Sequence, residues 1–243
     1  GYNMRVLKID LASLSILERP VSKTMKEKLV GGKGFGLKLL WDAISPDTTW
    51  DDPENEIVIA MGPICGNTNY SGSGKSLVVS LSPLTGIPID SNVGGYFGPF
   101  LKFSGFDALE LGGKVGRDSI IFIDGDEGKV QIFEAPEGLE SDTHILAEKL
   151  TRAFAASEKD ADLAAVAVVS AGRGAEHSRI GLLNFSLYDR RRGGCRVKQA
   201  GRGGLGTVFR DKGIMALVCR YSKLGQDDNH AADPATVQRL GLK

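Results

Sequence analysis

The sequence predicts an α+β fold, because strand patterns and helix patterns are mixed along the chain without strict strand–helix alternation. Residues 57–61 form an unbroken apolar run, which is typical of a strand covered on both faces. Residues 144–157 carry apolar side chains at helical spacing and form the clearest amphipathic helix. Together these segments predict a sheet-based core with helices packed against it.

The first half of the chain opens with alternating apolar and polar residues, which predict a strand and its hairpin partner. Later segments are separated by turns rich in proline, glycine, asparagine and aspartate. The predicted elements are strands at 4–10 and 13–19, helices at 24–30 and 35–44, strands at 57–61 and 77–81, a helix at 97–103 and a strand at 108–111.

The second half opens on another hairpin pattern, in which two apolar runs flank the turn residues 124–128 (DGDEG). The predicted elements are strands at 120–123 and 130–133, a helix at 144–157, strands at 166–169, 180–185 and 214–218, a polar segment at 222–232 and a short helix that begins at Asp233 and Pro234. No linker precedes residue 222, so we expect one domain over residues 1–220. Residues 221–243 would be a tail or the start of a further helical domain.

Composition excludes several classes of protein. The 243 residues include 30 lysines and arginines and 30 aspartates and glutamates, so no overall charge favours nucleic acid or an anionic membrane. No apolar run approaches the roughly 20 residues that cross a bilayer, so no membrane span is expected. Cys65, Cys195 and Cys219 are odd in number and far apart, which argues against disulfides and against a zinc or iron–sulfur site built from this chain. We expect a cytoplasmic protein.

Three glycine-rich turns carry the most information about function: residues 31–36 (GGKGFG), 94–98 (GGYFG) and 200–206 (AGRGGLG). Glycine has no side chain to bury, but it lets the backbone approach a flat or anionic ligand closely. Arg202, within the third turn, indicates a ligand with phosphate or other acceptor groups. The turns predict a surface shaped around one large ligand, although the first could equally be a turn between two helices. The first two turns are each followed by leucine and lysine, which hints at an internal repeat.

Residues 72–76 (GSGKS) resemble the end of a nucleotide-triphosphate-binding loop, but two features argue against that function. The full motif needs a glycine where this chain has Asn69. It also needs a helix after the lysine, because the helix N-terminus holds the phosphates. Residues 76–83 instead form a short apolar run that ends at proline, so we expect a strand. Lys75 would then either contact an anionic ligand or lie on a solvated turn.

Four blocks, in order along the chain, resemble the N-terminal domain of the tungsten-containing aldehyde ferredoxin oxidoreductases. They are residues 82–86 (SPLTG), 91–98 (SNVGGYFG), 101–107 (LKFSGFD) and 200–206 (AGRGGLG), within a resemblance that runs from about Met4 to Val218. The resemblance implies an α+β fold of two pseudo-symmetric halves. In that family the domain forms a saddle-like base beneath two tungstopterin molecules.

The resemblance also implies roles for individual residues. Asn92 and the carbonyl of Ala200 would hold a magnesium ion that bridges the two pterin phosphates, and both supply the oxygen atoms that magnesium prefers. Family members often have an arginine where this chain has Lys75, and that arginine links the pterin to an iron–sulfur cluster. A lysine cannot form the same bidentate contact. The full set of implied cofactor-binding positions is Lys75, Asn92, Val93, Gly94, Gly95, Ala200, Gly201, Arg202 and Gly203.

The segment 173–202 departs from the family and is strongly basic, with eight arginines and lysines against only Glu176 and Asp189. This patch would meet the cofactor phosphates or an acidic partner, or it is simply a solvated face.

The resemblance places no catalytic residue in this chain. The 4Fe–4S cluster and the acid–base residues are expected on a larger partner subunit or on domains outside this sequence. The implied reaction is oxidation of a small aldehyde to its acid at tungsten or molybdenum, with electrons passed through the cluster to a ferredoxin-like acceptor. The alternatives are a non-catalytic cofactor-binding or assembly module on the same scaffold, and a subunit of a reductase that acts on aromatic acyl thioesters.

Overall fold

Twelve strands build two sheets in the computed structural model, which describes residues 1–224 and 229–242. The first half comprises β1 (Arg5–Asp10), β2 (Ser15–Pro20), α1 (Lys23–Leu29), α2 (Lys33–Ala43), β3 (Ile57–Met61), β4 (Ser76–Leu81), β5 (Pro88–Val93), α3 (Phe97–Phe103) and β6 (Ala108–Gly112). The second half comprises β7 (Ser119–Asp124), β8 (Lys129–Glu134), α4 (Thr143–Phe154), α5 (Asp160–Leu163), β9 (Val166–Ser170), a 3-10 turn (Arg173–His177), β10 (Leu183–Asp189), β11 (Gly194–Ala200), α6 (Leu205–Asp211) and β12 (Ile214–Arg220), followed by α7 (Pro234–Gly241).

The two sheets have the same topology. Their strand orders are β2-β1-β6-β3-β4-β5 and β8-β7-β12-β9-β10-β11. Each contains one parallel pair, β1–β6 or β7–β12, among antiparallel pairs. The registers correspond as well, so the halves are structural repeats and the predicted pseudo-symmetric α+β fold is confirmed. Matching partners are Ala60 with Leu77 and Ala108 in the first half, and Ser170 with Asn184 and Ala216 in the second.

The central core lies between the two sheets and includes the inner helices α3 and α6. Phe97, Phe100 and Leu101 of α3 are buried there, and Leu205, Val208 and Phe209 of α6 fill the same core. Both helices contact strands of both sheets. Each half therefore completes its apolar core with residues of the other half.

The outer faces of the sheets are covered by α2 and α4. Phe35, Leu39 and Leu40 of α2 pack on the first sheet, and Leu146 and Leu150 of α4 pack on the second. The strand β3, predicted to be buried on both faces, is buried along its whole length because α2 covers one face and the central core covers the other.

Packing of α2 accounts for the first glycine-rich turn. A methyl group on Gly34 would lie 2.3 Å from the carbonyl oxygen of Leu29, and one on Gly36 would lie 2.6 Å from Cγ2 of Val79. These glycines allow close contact within the protein. The internal repeat also differs from the one that the first two turns suggested, because the strand registers match Gly94 with Gly201.

Most predicted elements are confirmed with small shifts of their ends, but three elements adjoining the glycine-rich turns were missed. The predicted strand at 180–185 is wrong in its bounds, since β10 begins at Leu183. Gly181 instead belongs to a turn whose N–H donates to Oγ1 of Thr207, and whose carbonyl accepts from the N–H of Gly206. The missed elements are β5, β11 and α6.

The described part of the tail packs back on the first half. The side-chain amide of Asn229 donates to the carbonyls of Pro63 (2.9 Å) and Cys65 (2.7 Å), in the loop after β3. The short helix predicted from Asp233 is confirmed as α7. The predicted polar segment 222–232 lies partly outside the described residues. Within those residues, no helix is long and apolar enough to span a membrane.

A buried carboxylate pair lies on the outer face of the first sheet. Glu110 of β6 is 1% exposed, and Glu56 lies beside it at the start of β3. Lys8 approaches Glu56 at 2.7 Å and Glu110 at 3.9 Å, and Arg19 approaches Glu110 at 3.3 Å. Burial, and then the charge of Glu56, raise the pKa of Glu110 to about 7.

The raised pKa predicts a pH-dependent effect of the substitution Glu110→Gln. In the folded state Glu110 binds a proton more tightly than in the unfolded state, so its ionisation weakens the fold as pH rises from about 4.5 to about 7. Relative to the native chain, the variant should gain on the order of 2 kcal/mol in free energy of unfolding across that window. Urea unfolding at pH 5, 6, 7 and 8 measures the difference.

The control is Glu137→Gln, which changes an exposed glutamate in the loop after β8. Parallel stability curves for Glu110→Gln and the native chain between pH 5 and pH 8 would contradict the assignment.

Candidate cofactor-binding site

Two equivalent strand-to-helix links form the candidate site. The first link, residues 94–96, joins the end of β5 to α3, and the second link, residues 201–204, joins the end of β11 to α6. Val93 pairs with the first residue of β4, and Ala200 pairs with the first residue of β10, so these two residues are repeat equivalents. By the same registers, Asn92 matches Gln199.

The links lie together where the edge strands β5 and β11 meet. The backbone N–H of Arg202 donates to Oγ of Ser91 in β5 (3.2 Å). In the opposite direction, Gly95 approaches the second half, where a methyl group on it would lie 3.8 Å from Cβ of Phe185 in β10. The structure thus brings the second and third glycine-rich turns into one region, formed by both halves.

Three glycines of the links are required by the fold itself. One is Gly204, which has φ +71° and where a methyl group would lie 2.2 Å from the carbonyl oxygen of Arg179. Gly95 has φ +113° and Gly203 has φ +74°, in the left-handed region that favours glycine. Gly203 also packs against Ile89, since a methyl group on it would lie 2.3 Å from Cγ2 of that side chain. These residues shape the links whether or not a ligand binds.

Gly94 and Gly201 have no such requirement. Neither has a positive φ, and a methyl group on either would make only ordinary contacts, 3.9 Å from Nζ of Lys75 and 3.7 Å from Cδ2 of Leu182. They nevertheless occupy equivalent positions, directly after the last residues of β5 and β11. Two glycines with space in front of their backbones are the arrangement that close approach of a flat ligand needs.

Three cationic side chains lie around the links. Lys75, Lys198 and Arg202 are exposed, and none of their side chains forms an ion pair or hydrogen bond within residues 1–224 and 229–242. Lys198 pairs across the ladder with Phe185, so it lies on the face of the second sheet that meets the first link. Three uncompensated cations favour an anionic ligand.

Neutral oxygen donors are also present. Asn92 is exposed at the end of β5, whereas Val93 and Ala200 are buried. No group of three or more His, Cys, Asp or Glu residues that could hold a metal occurs among the described residues. An amide and a carbonyl oxygen suit magnesium only if the ligand supplies anionic oxygens, as phosphates do. Asn92 and Ala200 are not repeat equivalents of each other.

The strand predicted after the GSGKS segment is confirmed, so the helix that a phosphate-binding loop needs does not follow Lys75. The residue after Lys75 begins β4, which is a strand. Lys75 still lies in the site, because its Nζ is the nearest atom to the open side of Gly94. Lys75 is therefore a candidate ligand-binding residue because of its position beside the links, and not because of the GSGKS motif.

The three thiols lie outside the site and are held neutral. Burial raises the pKa of Cys65 and of Cys219 to about 12, and that of Cys195 to about 11. Cys195 donates towards Oγ1 of Thr151 at 3.4 Å, on the opposite side of the second sheet from the central core.

Sequence reasoning missed Ser91 and Lys198. In the sequence, Ser91 lies within one of the resembling blocks and Lys198 lies within the basic segment, and neither stands out there. The alternation of Arg196, Lys198 and Ala200 along β11 places them on one face and could have identified the lysine.

The sequence pattern of the "aldehyde ferredoxin oxidoreductase, N-terminal domain" matches residues 6–221. The chain belongs to the aldehyde ferredoxin oxidoreductase family. The tungsten-containing aldehyde ferredoxin oxidoreductase of Pyrococcus furiosus is 31% identical over 90% of this chain and 33% of its own length. The aliphatic sulfonate oxidoreductase WOR-like subunit of the same organism is 26% identical over 91% of this chain and 35% of its own length.

A solved structure of this family supports the fold. The BamBC active-site complex of benzoyl coenzyme A reductase, in complex with 1,5-dienoyl-CoA, contains a chain of 29% identity that superposes with a TM-score of 0.78. The match covers 91% of this chain and 31% of that one. The chain spans about a third of the length of the curated relatives that it matches.

Alanine substitutions should separate the fold-imposed glycines from the others. Gly203→Ala should lower the free energy of unfolding by about 2–4 kcal/mol, because it combines a left-handed φ with a clash against Ile89. Gly201→Ala should change it by less than about 0.5 kcal/mol. Urea denaturation followed by circular dichroism measures both.

Equal losses of unfolding free energy in the two variants would mean that the fold requires both Gly201 and Gly203. A stable Gly203→Ala variant would mean that the second link does not pack as described.

Proposed function

We propose that this chain is the pterin-binding base of a tungsten- or molybdenum-dependent oxidoreductase. The observation that carries the proposal is the pair of equivalent links. In them Gly94 and Gly201 leave the backbone uncovered, although neither backbone conformation nor packing requires a glycine at these positions. A bis-pterin ligand is flat and approximately two-fold symmetric, and the two links offer it matching surfaces. The tungsten-containing relatives support the same choice of cofactor.

Each residue of the site would have a distinct task. Gly94 and Gly201 would let the two pterins approach the backbone, while Gly95, Gly203 and the buried Val93 would fix the shape of the links. Arg202 would bind cofactor phosphates through its forked guanidinium. Lys75 would add a positive charge beside the first link, without the directional contact that an arginine makes.

Magnesium would bind between the phosphates, with Asn92 and the carbonyl of Ala200 as its protein ligands. Asn92 is the penultimate residue of β5 and Ala200 is the last residue of β11, so each lies beside a link, one in each half. A single ion held in this way would join the two halves of the ligand to the two halves of the protein.

When bound, the metal–pterin group supplies two-electron oxidation of an aldehyde to a carboxylic acid. This chain would bind and orient that group and neutralise its phosphates. We assign it no catalytic residue. A partner chain, or a part of the protein outside this sequence, would supply the acid–base residues and the 4Fe–4S cluster, and electrons would pass from there to a ferredoxin-like acceptor.

Two other functions use the same site. A reductase subunit for aromatic acyl thioesters is favoured by the structural match to the benzoyl coenzyme A reductase complex at 29% identity. A non-catalytic cofactor-binding or assembly module would retain the links without the reaction. Metal analysis and activity of the native assembly distinguish these functions: aldehyde oxidation, thioester reduction, or metal binding with neither.

Substitutions in the second link should reduce cofactor retention. Gly201→Leu would fill the space in front of the backbone, and Arg202→Gln would remove the guanidinium, so each should lower bound tungsten plus molybdenum at least tenfold. The assembly is purified anaerobically from a host that makes the cofactor. Elemental analysis and fluorescence of the oxidised pterin measure occupancy.

Gly116→Leu is the matched control, because Gly116 has open space around it in the loop between the halves. Full metal and pterin content in both Gly201→Leu and Arg202→Gln would refute the proposed site.

The chain on its own should not turn over aldehydes, even when loaded with cofactor, because no acid–base pair or cluster is assigned to it. The measurement is aldehyde-dependent reduction of a viologen dye by the purified chain. Turnover comparable to that of the native assembly would show that the catalytic groups lie within these 243 residues.

A further inference from the structure

A groove of about 720 Å³ opens between the two halves, next to Gly95. We call it the arginine groove. Its aromatic floor comes from the first half and its basic wall comes from the second half. The residues that define it are Tyr96, Phe100, Phe103, Arg190, Arg191 and Arg196.

The internal repeat produces a second interface between the halves that is equivalent to the groove, and there the two halves are in direct contact. The registers that match Val93 with Ala200 also match Ile89 with Arg196. On the closed side, Gly203 of the second half packs directly on Ile89 of the first half. On the open side, Arg196 stands in place of the isoleucine. Tyr96 lies in the corresponding link and is 43% exposed. The two copies of one interface therefore differ, and within residues 1–224 and 229–242 only one of them is filled.

Charge in the groove is unbalanced. Among the described residues, Asp189 is the one carboxylate that lines the groove, and it is already shared by Arg192 (3.7 Å) and Arg196 (3.4 Å). The guanidinium groups of Arg190 and Arg191 form no ion pair or hydrogen bond with any other described residue. The groove thus presents cations that nothing in the described chain neutralises.

Three of the other polar side chains in the groove already have hydrogen-bond partners. Oγ of Ser73 donates to the carbonyl of Asn67 (2.6 Å), Oδ1 of Asn67 accepts from the N–H of Asn69 (2.9 Å), and the hydroxyl of Tyr188 donates to Asp160 (3.0 Å). A small ligand is normally oriented by several convergent polar groups, and here the polar side chains unused within the described chain are the guanidinium groups of Arg190 and Arg191 and the exposed hydroxyls of Thr68 and Tyr96. Aromatic side chains beside arginines are instead the composition enriched at protein interfaces.

We propose that the arginine groove docks an acidic protein segment that carries apolar side chains. Carboxylates of the segment pair with Arg190 and Arg191, and its apolar side chains cover Tyr96, Phe100 and Phe103. The cofactor is not needed for this contact. Because the groove shares Gly95 with the first link, a docked segment ends beside the candidate cofactor-binding site.

The test is a selection of random 12-residue peptides displayed on phage, using the 243-residue chain as the target. Enriched peptides should combine several Asp or Glu residues with Leu, Phe or Trp. Binding of the best peptide, labelled with fluorescein, is then measured by anisotropy. Arg191→Glu should weaken it about tenfold, and Tyr96→Ala about fivefold. Lys28→Glu, the same charge change on an exposed lysine of α1, should have no effect.

Several results would overturn the proposal. They are the absence of enrichment, enrichment without acidic residues, and binding that Arg191→Glu leaves unchanged. Loss of binding in Arg202→Glu but not in Arg191→Glu would assign the peptide to the cofactor-binding site. Displacement of the peptide by benzyl phosphate at micromolar concentration would assign the groove to a small aromatic anion. Circular dichroism melting of each variant confirms that it is folded, and none of these results depends on tungsten.

Discussion

The structure depends on a core that neither half can close alone. The inner helices α3 and α6 lie between the two sheets and contact strands of both, so each sheet is covered on its inner face by helices of both repeats. This arrangement brings the edge strands β5 and β11 together, and with them the two links that follow those strands. The candidate site is a consequence of how the central core is filled.

Sequence patterns predicted the elements that lie deepest and missed those that form the site. The strand β3 and the helix α4 have strong apolar patterns because packing determines every residue of one face. The strand β5 contains Asp90, Ser91 and Asn92, which are rare in strands, yet pairing with β4 holds it in place. Edge strands have polar residues because one side is uncovered, so periodicity alone cannot identify them.

The sequence of the glycine-rich turns likewise does not show which of their glycines the fold requires. All three turns look alike in sequence, but their glycines have different roles. Gly34 and Gly36 allow close packing of α2, and Gly203 adopts a left-handed φ and packs against Ile89. Gly94 and Gly201 have no such role in the fold. The distinction depends on which atoms lie opposite each glycine, and those atoms belong to distant parts of the chain. The resemblance points to the same region, and the contacts within it separate the candidate ligand-binding residues from the residues that the fold requires.

The shared core also has a consequence for biosynthesis. The strands of the first sheet leave the ribosome long before α6 is made, so their inner apolar face stays uncovered while most of the second half is translated. Domains usually fold as units when their last element emerges. The central core is therefore completed only once α6 has been made, and the nascent first half needs protection from aggregation until then.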